Sequence, residues 1–341
     1  MASATARSVS LSDLRDLCRT ALRSAGASPL VAEALTATAV ESEGRGHGEV
    51  GAAHVLDDIA ALRAGRMNPD PHPAVKARRG SAIVADADEG PAQAAFLSAV
   101  DDVTEAARRN GVAVLSVHSA YSGGALGFYV RRLAERGLIA LAAGNSAALM
   151  SVFGSRGPVT GTNPLAFAIP DPTAGSGGVR SFDQASSQTA WVAVRDAAAS
   201  GEAIPEGWAL DADGEPTTDA AAALRGAMLP FGGAKGANIA MMVELLAVLA
   251  GGSFSQDAAP FDAGSASPRL GLFVLVVDPS AFDDDYAGRA ETHLQRLSVE
   301  HGIDVGRRRA VPLHVTVAAD VLARLQRIAS EGSTGEEVVG A

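Results

Sequence analysis

The sequence predicts an α/β fold with a helical N-terminal region, and three observations support that class. The 341 residues are 47% hydrophobic and 20% charged, which is typical of a globular protein with a sizeable core. The first third of the chain carries apolar residues at helical spacing. From residue 82 onward, short apolar segments alternate with helical ones, as in a sheet whose strands are buried on both faces.

A helical region is predicted over residues 1–75. Ser10 or Ser12 can cap its first helix, because a serine oxygen accepts hydrogen bonds from the free N–H groups of a helix start. The segment 66–80 contains three prolines and ends the region. The three predicted helices are LRDLCRTALRSAG, PLVAEALTATAVESEG and VGAAHVLDDIAALRAG.

An α/β domain is predicted over residues 76–300. Residues 301–341 are expected to return to the helical region and to end in a disordered tail. The predicted strands of the domain are SAIVADA, VAVLSVH, LIALAAGNS, PLAFAIP and GLFVLVVD. Its predicted helices are GPAQAAFLSAVDDVTEAARRNG, ALGFYVRRLAERG, QTAWVAVRDAAAS and NIAMMVELLAVLAG, and VAADVLARLQRIAS is a further helix near the C-terminus.

Composition excludes several function classes. A net charge of −11 argues against nucleic-acid binding, which needs basic patches that displace counterions from phosphates. No apolar run reaches the roughly 18 residues that a membrane span needs, so no membrane contact is expected. Cys18 is the only cysteine, which rules out an internal disulfide and suits a reducing cytoplasm. We therefore expect a cytoplasmic protein.

The segment 229–245, LPFGGAKGANIAMMVEL, joins a glycine turn to an apolar helix. A glycine turn at a helix start presents free backbone N–H groups and a partial positive charge, to which Lys235 adds a full one. Lys235 is one of only two lysines among 28 basic residues, and a compact ammonium fits a crowded phosphate pocket. An anion such as a pyrophosphate would bind well here. The alternative is that the glycines only allow the backbone to turn before the helix.

Familiar nucleotide and metal motifs are missing. No strand is followed by G-x-G-x-x-G and no P-loop is present, so a nucleotide would have to bind in another way. His47, Glu49 and His54 are close in sequence but do not form an H-E-x-x-H pattern, and no metal is predicted.

Six longer motifs carry a specific resemblance. They are EGRGHG at 43–48, VAVLSVHSAYSGGALGFY at 112–129, GNSAALMSVFGSRGPVTGTNPLAFAIP at 144–170, FDQASS at 182–187, IPEGWALDADGEPTTD at 204–219 and LPFGGAKG at 229–236. In order and spacing they resemble the malate/L-lactate dehydrogenase family, which is unrelated to the Rossmann lactate dehydrogenases. That family also contains ureidoglycolate and sulfolactate dehydrogenases and reductases of piperideine- and pyrroline-2-carboxylate. The resemblance runs from about residue 10 to about residue 330.

The resemblance implies a homodimer with a non-Rossmann, NAD(P)-binding mixed sheet and an active site near the dimer interface, where a small-molecule substrate is reduced or oxidised with NADPH or NADH. The arginine run 307–309 favours the phosphate of NADPH. Gly306 matches the glycine of the family's Pro-Gly-Glu-Arg loop, but Val305 replaces its proline. The positions that match cofactor-binding ones are Asn145, Ser146, Arg156, Gly161, Thr162, Asn163, Pro164, Asp183, Gly232, Gly233, Lys235, Gly306 and Arg307.

Two catalytic motifs of the family are altered here. After the matched Arg-Gly-His triplet, the family continues Asp-Ser-His-Gly, whereas this chain reads Gly-Glu-Val-Gly with Val50 in place of the histidine. The second family signature, Asn-His-Phe-Gly, corresponds to Tyr-Ser-Gly-Gly, with Ser122 in place of the histidine. His54 also stands where the family has an arginine that can hold a carboxylate.

The loss of both histidines has a chemical meaning. Oxidation of a 2-hydroxy acid requires a base for the hydroxyl proton, and a histidine suits that role near neutral pH. Reduction of a C=N bond requires less acid/base catalysis from the protein, because an imine can carry its own proton and then needs mainly orientation and hydride delivery. The sequence therefore favours a biosynthetic reductase of an imine, an enamine or an activated 2-oxo acid. Two alternatives stay open: a non-redox elimination or isomerisation on the same fold, and a silent binding protein.

Four residues are the candidates for catalysis. Tyr121 could donate a proton, although a loop tyrosine also serves packing. Asp183 could orient the substrate nitrogen or the nicotinamide, or it could be a capping aspartate. His47 flanks the first altered motif and Ser122 belongs to the second. His118 is a further acid/base candidate, with a structural role as the alternative.

Overall fold

The computed structural model describes residues 6–171, 178–304, 306 and 311–333, and it confirms the α/β class. A seven-stranded mixed sheet has the order β2-β3-β4-β11-β5-β6-β7. Only the β3–β4 pair is parallel. The strands are β2 (Ala74–Arg79), β3 (Ala82–Asp86), β4 (Val112–Ala120), β5 (Ile139–Gly144), β6 (Leu165–Pro170), β7 (Val179–Gln184) and β11 (Leu270–Val277).

The centre of the sheet is built around β11. This strand pairs antiparallel with β4 on one side and with β5 on the other, so that Val277 lies opposite both Val112 and Ile139. Its eight residues, LGLFVLVV, carry no polar side chain, as expected for a strand covered on both faces. The alternation of strands and helices earlier in the chain is typical of parallel sheets, but the late strand β11 makes this sheet mainly antiparallel.

Helices cover both faces of the sheet. On one face lie α4 (Ala92–Asn110) and α5 (Gly127–Ala134), which bury an aromatic cluster of Phe96, Phe128 and Tyr129. On the other face lies α8 (Ala234–Ala247), whose Val243 packs against Phe273 of β11. Because side chains alternate along a strand, β11 contributes to both layers.

The N-terminal region forms a second core. It contains α1 (Leu11–Ser24), α2 (Pro29–Gly44) and α3 (Ala52–Arg63), together with α10 (Ala319–Ser333) and a two-stranded sheet of β1 (Ala6–Ser10) and β12 (His314–Ala318). Of the two predicted caps, Ser10 is the one used: its Oγ accepts a hydrogen bond from Asp13 N at 3.0 Å. Cys18 is fully buried, and burial raises the pKa of its thiol to about 12, so it is an unreactive core residue.

A third, smaller core surrounds the first half of α8. It is closed by a three-stranded sheet and two short helices and contains Met150, Val194 and Met228. These elements are β8 (Ala209–Leu210), β9 (Pro216–Thr217), β10 (Ala227–Met228), α6 (Trp191–Ser200) and α7 (Ala220–Ala223).

Several elements were not predicted from sequence. They are the strands β1, β2, β7, β8, β9, β10 and β12, the helices α7 and α9 (Tyr286–His301), and two 3-10 helices, Gly48–Val50 and Pro279–Ala281. The predicted disordered tail falls on residues 334–341, outside the described residues. The division at residues 75 and 300 stays a prediction. No helix of the described residues is long and apolar enough to cross a membrane.

Candidate active site

A small cavity of about 10 Å³ brings together the two positions where the resemblance implies catalytic histidines. Val50 enters it from the 3-10 helix and Ser122 from the loop after β4. The cavity has room for about one water molecule. The other polar side chains that line it are Thr38, His54, Asp58 and Gln93.

The position of Val50 is set by Glu43 at the end of α2. The Glu43 carboxylate accepts a hydrogen bond from Ala52 N at 2.8 Å and so caps α3. A Cβ atom at Gly51 would overlap the Glu43 carboxylate, which explains why a glycine stands there. Burial raises the pKa of Glu43, against the backbone bond from Ala52 that lowers it.

The loop of Ser122 packs against Gln93 at the start of α4. Ser122 Oγ accepts a hydrogen bond from Gly124 N at 3.0 Å, and Tyr129 Oη donates one to Gly123 O at 2.6 Å. Gly124 has a φ of +57° and lies so close to the Gln93 amide that a Cβ atom would overlap Nε2. A glycine at residue 124 therefore satisfies both the left-handed backbone and the close approach.

His54 and Asp58 face the cavity from successive turns of α3. The distance from His54 Nε2 to Asp58 Oδ1 is 3.9 Å. Asp58 is 4% exposed, and burial raises the pKa of its carboxyl to about 6; His54 acts to lower that pKa and Asp57 to raise it. A buried carboxyl with such a pKa can hold or release a proton near neutral pH.

Gln93 contributes an unused acceptor. The residue is 2% exposed, and its Oε1 has no hydrogen-bond partner among the described residues. A buried acceptor left unpaired costs roughly 1–3 kcal/mol, so a ligand that donates a hydrogen bond would recover that free energy. The cavity is therefore suited to an N–H or O–H donor.

Tyr121 does not line this cavity. Its side chain is 5% exposed within the helical core, and its Oη donates to Phe261 O at 3.4 Å. Burial, with the nearby charge of Asp58, raises its pKa to about 12. This position suits packing, the alternative that the sequence left open.

Asp183 and His47 lie near the start of α5. Asp183 Oδ2 accepts a hydrogen bond from Gly127 N at 2.8 Å, as a carboxylate does at a helix N-terminus. Burial raises the pKa of Asp183, while that bond, Arg131 and His47 lower it. His47 is exposed and lies 3.3 Å from Glu49. His118 lies apart from both, with its Nδ1 2.9 Å from Ser119 Oγ.

The loop that contains Asn145, Ser146 and the Gly-Thr-Asn-Pro motif forms a second site. Asn145 connects two segments of the chain: its Nδ2 donates to Ser253 O at 2.8 Å, and its Oδ1 accepts from Gly271 N at 2.9 Å. A Cβ atom at Gly161 would overlap Ser146 Oγ and lie 2.7 Å from Asn163 Oδ1. The loop thus leaves no room for a side chain at residue 161.

A buried polar network anchors this loop to α8. Asn163 Nδ2 donates to Glu244 Oε2 at 2.8 Å, and Ser255 Oγ donates to the same oxygen at 2.6 Å. Gly161 N in turn donates to Ser255 Oγ at 2.9 Å. Asn163 is fully buried, and its Oδ1 has no partner among the described residues. It is a second unpaired acceptor.

Ser186 joins three of the sequence motifs. Its N donates to Thr162 O at 2.7 Å, its Oγ donates to Asn163 O at 2.8 Å, and its O accepts from Phe231 N at 3.0 Å. The FDQASS, GTNP and PFGG segments therefore meet beside Pro164 and the start of α8.

The start of α8 carries the predicted glycine turn. Gly232 and Gly233 have φ values of +55° and +61°, and Gly233 has open space where a Cβ atom would be. No side chain caps the helix at Gly233, and Lys235 is exposed. The geometry is that of a helix start that is open to an anion.

Three remaining cofactor candidates are placed differently. Arg156 is exposed, and its backbone packs against Gly214. Gly306 has a φ of +76° and packs against β7, where a Cβ atom would lie 2.9 Å from Arg180 Cβ. Arg307 lies outside the described residues.

These features fit a nicotinamide dinucleotide. The open helix start with Lys235 suits its phosphates, and the unpaired Oδ1 of Asn163 suits an amide N–H donor such as the carboxamide group. The mixed sheet carries no glycine-rich Rossmann turn. Fold and loops together define a protein of the non-Rossmann dehydrogenase class.

Comparison with known proteins gives the family. The family model "Malate/L-lactate dehydrogenase" matches residues 9–314, and the chain belongs to that family. It is 35% identical to the (2R)-3-sulfolactate dehydrogenase (NADP(+)) of Chromohalobacter salexigens over 87% of this chain and 89% of the relative. It is 37% identical to the Δ1-pyrroline-2-carboxylate/Δ1-piperideine-2-carboxylate reductase of Pseudomonas aeruginosa over 86% and 89% of the two chains.

A solved structure agrees with this assignment. The crystal structure of Δ1-piperideine-2-carboxylate reductase from Pseudomonas syringae pv. tomato superposes with a TM-score of 0.86 at 32% identity, and the match covers 94% of this chain and 99% of that one. The architecture of the present chain is therefore that of the family throughout the described residues.

Sequence reasoning missed two residues of the cavity. Asp58 follows His54 by four residues, a spacing that places both on one face of a helix. Gln93 is a polar residue in the otherwise apolar first turn of α4. The spacing from His54 is a signal that could have identified Asp58, whereas the importance of Gln93 depends on packing that the sequence does not show.

Proposed function

We propose that the protein is an NAD(P)H-dependent reductase of a C=N bond, with cyclic imine 2-carboxylates as the first substrates to test. One observation carries the proposal: Val50 and Ser122 face the same cavity, where no histidine has taken their place except His54 on α3. The cavity offers an unpaired acceptor and a buried carboxyl, which suit a substrate nitrogen that gains a proton during reduction. The named activities of the Pseudomonas relatives support the same substrate class.

The chain's residues have separate roles in this proposal. The reduced nicotinamide, when bound, supplies a hydride. Lys235 and the open start of α8 would hold phosphate groups of the cofactor, and Asn163 Oδ1 would accept a hydrogen bond from its carboxamide. The cavity beside Ser122 has room for one group about the size of a water molecule, and the nitrogen of the substrate takes that place, which fixes its orientation for transfer.

A 2-oxo acid is the less favoured substrate. The position of the family arginine that can hold a carboxylate is occupied by His54, whose nearest charged neighbours are Asp57 and Asp58 at 3.8 Å and 3.9 Å. His54 in place of that arginine weakens the hold on a substrate carboxylate in both classes, so the preference for C=N over C=O rests on the absence of a histidine base at Val50 and Ser122.

We further propose that the protein is a homodimer that serves biosynthesis in the cytoplasm, where reduced nicotinamide cofactors are maintained. Helix α9 has no buried residue, and Val299 on it is 73% exposed. Three more exposed apolar side chains are Met242 and Leu245 on α8 and Leu249 just after it. Their spacing places them on one face of the helix. Apolar helix faces of this kind are suited to a second copy of the chain.

Two measurements test the proposed function. The first is titration of the protein with NADPH and with NADH, followed by the enhanced fluorescence of the bound nicotinamide; saturable binding at micromolar concentrations is expected. The second is oxidation of NADPH in the presence of Δ1-pyrroline-2-carboxylate and Δ1-piperideine-2-carboxylate. Binding without turnover on either imine would contradict the substrate class.

The two alternatives make different predictions for the same measurements. A non-redox isomerase or lyase would bind substrate without cofactor, and a silent binding protein would turn over neither imine. Failure of folded protein to bind either nucleotide would contradict the oxidoreductase itself.

A further inference from the structure

The polar groups of the cavity are not equivalent, and their hydrogen bonds show what is free. Ser122 Oγ already accepts from Gly124 N, and Thr38 Oγ1 already donates to Ala34 O at 2.9 Å. Gln93 Oε1 is buried and unpaired. The cavity therefore holds an acceptor that needs a donor, next to the one buried carboxyl among its lining residues, Asp58.

The carboxyl of Asp58 has a connection to solvent through its neighbour. His54 lies four residues earlier on α3, with its Nε2 3.9 Å from Asp58 Oδ1. The side chain of His54 is 36% exposed, whereas that of Asp58 is 6% exposed. An imidazole that reaches both the carboxyl and the surface can pass protons between them.

On these grounds we propose that Asp58 is the acid that protonates the nitrogen of the substrate, that His54 returns a proton to Asp58 from solvent, and that Gln93 Oε1 accepts the resulting N–H. The proposal rests on the proposed C=N reduction. It assigns the work of the two missing family histidines to a pair of residues on α3.

The proposed step balances in atoms and charge. The O–H bond of the Asp58 carboxyl breaks and an N–H bond forms at the imine nitrogen, while the imine carbon receives the hydride from the reduced nicotinamide. The C=N bond becomes a C–N single bond, so the product is a cyclic secondary amine and the cofactor is left oxidised. Asp58 is left as a carboxylate, which regains its proton from water through His54.

The charges around Asp58 suit this role. Burial raises its pKa to about 6, with His54 acting to lower the pKa and Asp57 to raise it. From the loop after β4, Tyr121 is close enough for the charge of Asp58 to raise the tyrosine pKa, and Arg66 acts on Tyr121 in the opposite direction. The carboxyl is thus protonated below about pH 6 and becomes ionised above it.

The test compares Asp58→Asn with Asp16→Asn, an exposed carboxylate on α1 that is absent from the cavity lining. Turnover of Δ1-piperideine-2-carboxylate is measured against pH, together with NADPH fluorescence and thermal unfolding. We expect wild-type kcat to fall as pH rises above about 6, since the acid form is then lost. Asp58→Asn is expected to lower kcat by ~100-fold and to flatten this profile, and Asp16→Asn to leave both nearly unchanged.

The outcomes separate this proposal from the one on which it rests. Wild-type protein that reduces neither imine overturns both. Wild-type turnover that Asp58→Asn retains, with the same pH profile and with NADPH still bound, overturns the assignment of Asp58 alone. The measurement of NADPH binding and unfolding shows whether a loss of turnover comes from a damaged fold.

Gln93 is tested by a different readout, since it orients the substrate and transfers no proton. Gln93→Met keeps a similar side-chain length and removes the acceptor. We expect kcat for the imine to fall by about 10-fold, with KM and the pH profile little changed, because the N–H that Gln93 accepts forms only during the step. A rise in KM with an unchanged kcat, or no change in either, overturns the role of Gln93 as an acceptor.

Discussion

At the scale of single residues, the two positions at which the family resemblance implies histidines meet in space. Val50 and Ser122 are far apart in sequence but line one cavity. The sequence alone singled out both positions, because the flanking residues resemble the family motifs in order. It also named His54, but it could not reveal Gln93, whose importance rests on an unpaired oxygen that only the packing around α4 defines.

Restoring one histidine tests whether the loss of a base changed the reaction. Val50→His places an imidazole at the cavity, and we expect oxidation of malate or L-lactate with NADP+ to rise by ~100-fold over the wild-type level, because a general base becomes available. Initial rates of NADPH formation measure this. Val50→Leu is the control for added bulk without a base. Equal rates in both variants would show that the lost histidine is not what limits hydroxy-acid oxidation.

Burial of Asp58 has a consequence for stability. Its folded-state pKa is about 6, above the ordinary value of 3.8, so folding favours the protonated form. The free energy of unfolding therefore falls as pH rises from 3.8 to about 6, and it stays lowered by the full amount at higher pH. The shift corresponds to about 3 kcal/mol at pH values above the window.

Asp58→Asn removes that penalty because an amide does not ionise. We expect the variant to be more stable than wild type by up to about 3 kcal/mol near pH 8, and the difference to vanish near pH 4. Denaturant unfolding at the two pH values gives the comparison, with Asp16→Asn as the exposed control. A variant that is less stable than wild type near pH 8 would contradict the inferred desolvation of Asp58.

At the scale of elements, the candidate cofactor site is made by loops that strands and helices hold from both sides. Ser186, directly after β7, binds the GTNP loop and the turn before α8 through three hydrogen bonds. The glycine turn and its helix could be predicted from the sequence, since turn residues and apolar periodicity are local signals. The network of Asn163, Glu244 and Ser255 could not, because its members are separated by many residues.

Gly161 offers a direct test of this loop. We expect Gly161→Ala to weaken NADPH binding by more than about 10-fold, because its Cβ atom displaces Ser146 and the unpaired Oδ1 of Asn163. Gly157→Ala is the matched control in the same loop, since a Cβ atom there meets nothing within 4 Å. Fluorescence titration measures the affinity of both variants for NADPH. Equal affinities would place the nicotinamide elsewhere.

At the scale of the whole molecule, the sequence predicted the α/β class and the helical region but not the order of the strands. Local patterns define strands such as β4 and β5, whereas their neighbour β11 comes from much later in the chain. The pairing of β1 with β12 is likewise non-local. Helix α9 was not predicted, and none of its residues is fully buried within the single chain.

The exposed apolar residues of α9 predict how the molecule associates. We expect Val299→Glu to shift the proposed dimer toward the monomer, because it places a charge on an apolar contact. Sedimentation velocity over a range of protein concentrations measures the shift. Ser200→Glu, at the exposed end of α6, is the control for added charge. A wild-type monomer, or a dimer that Val299→Glu leaves intact, would contradict an interface through α9.

Because β11 lies at the centre of the sheet but late in the chain, the sheet cannot be completed until residues 270–277 have been synthesised. While the ribosome is still adding residues before Leu270, β4 and β5 are already made but have no strand between them. Their apolar edges then offer unpaired N–H and C=O groups to any other nascent chain. Pairings between such distant segments also form slowly. Yield from an expressing cell is thus expected to depend on chaperones and growth temperature, even though the finished sheet has β4, β11 and β5 fully enclosed.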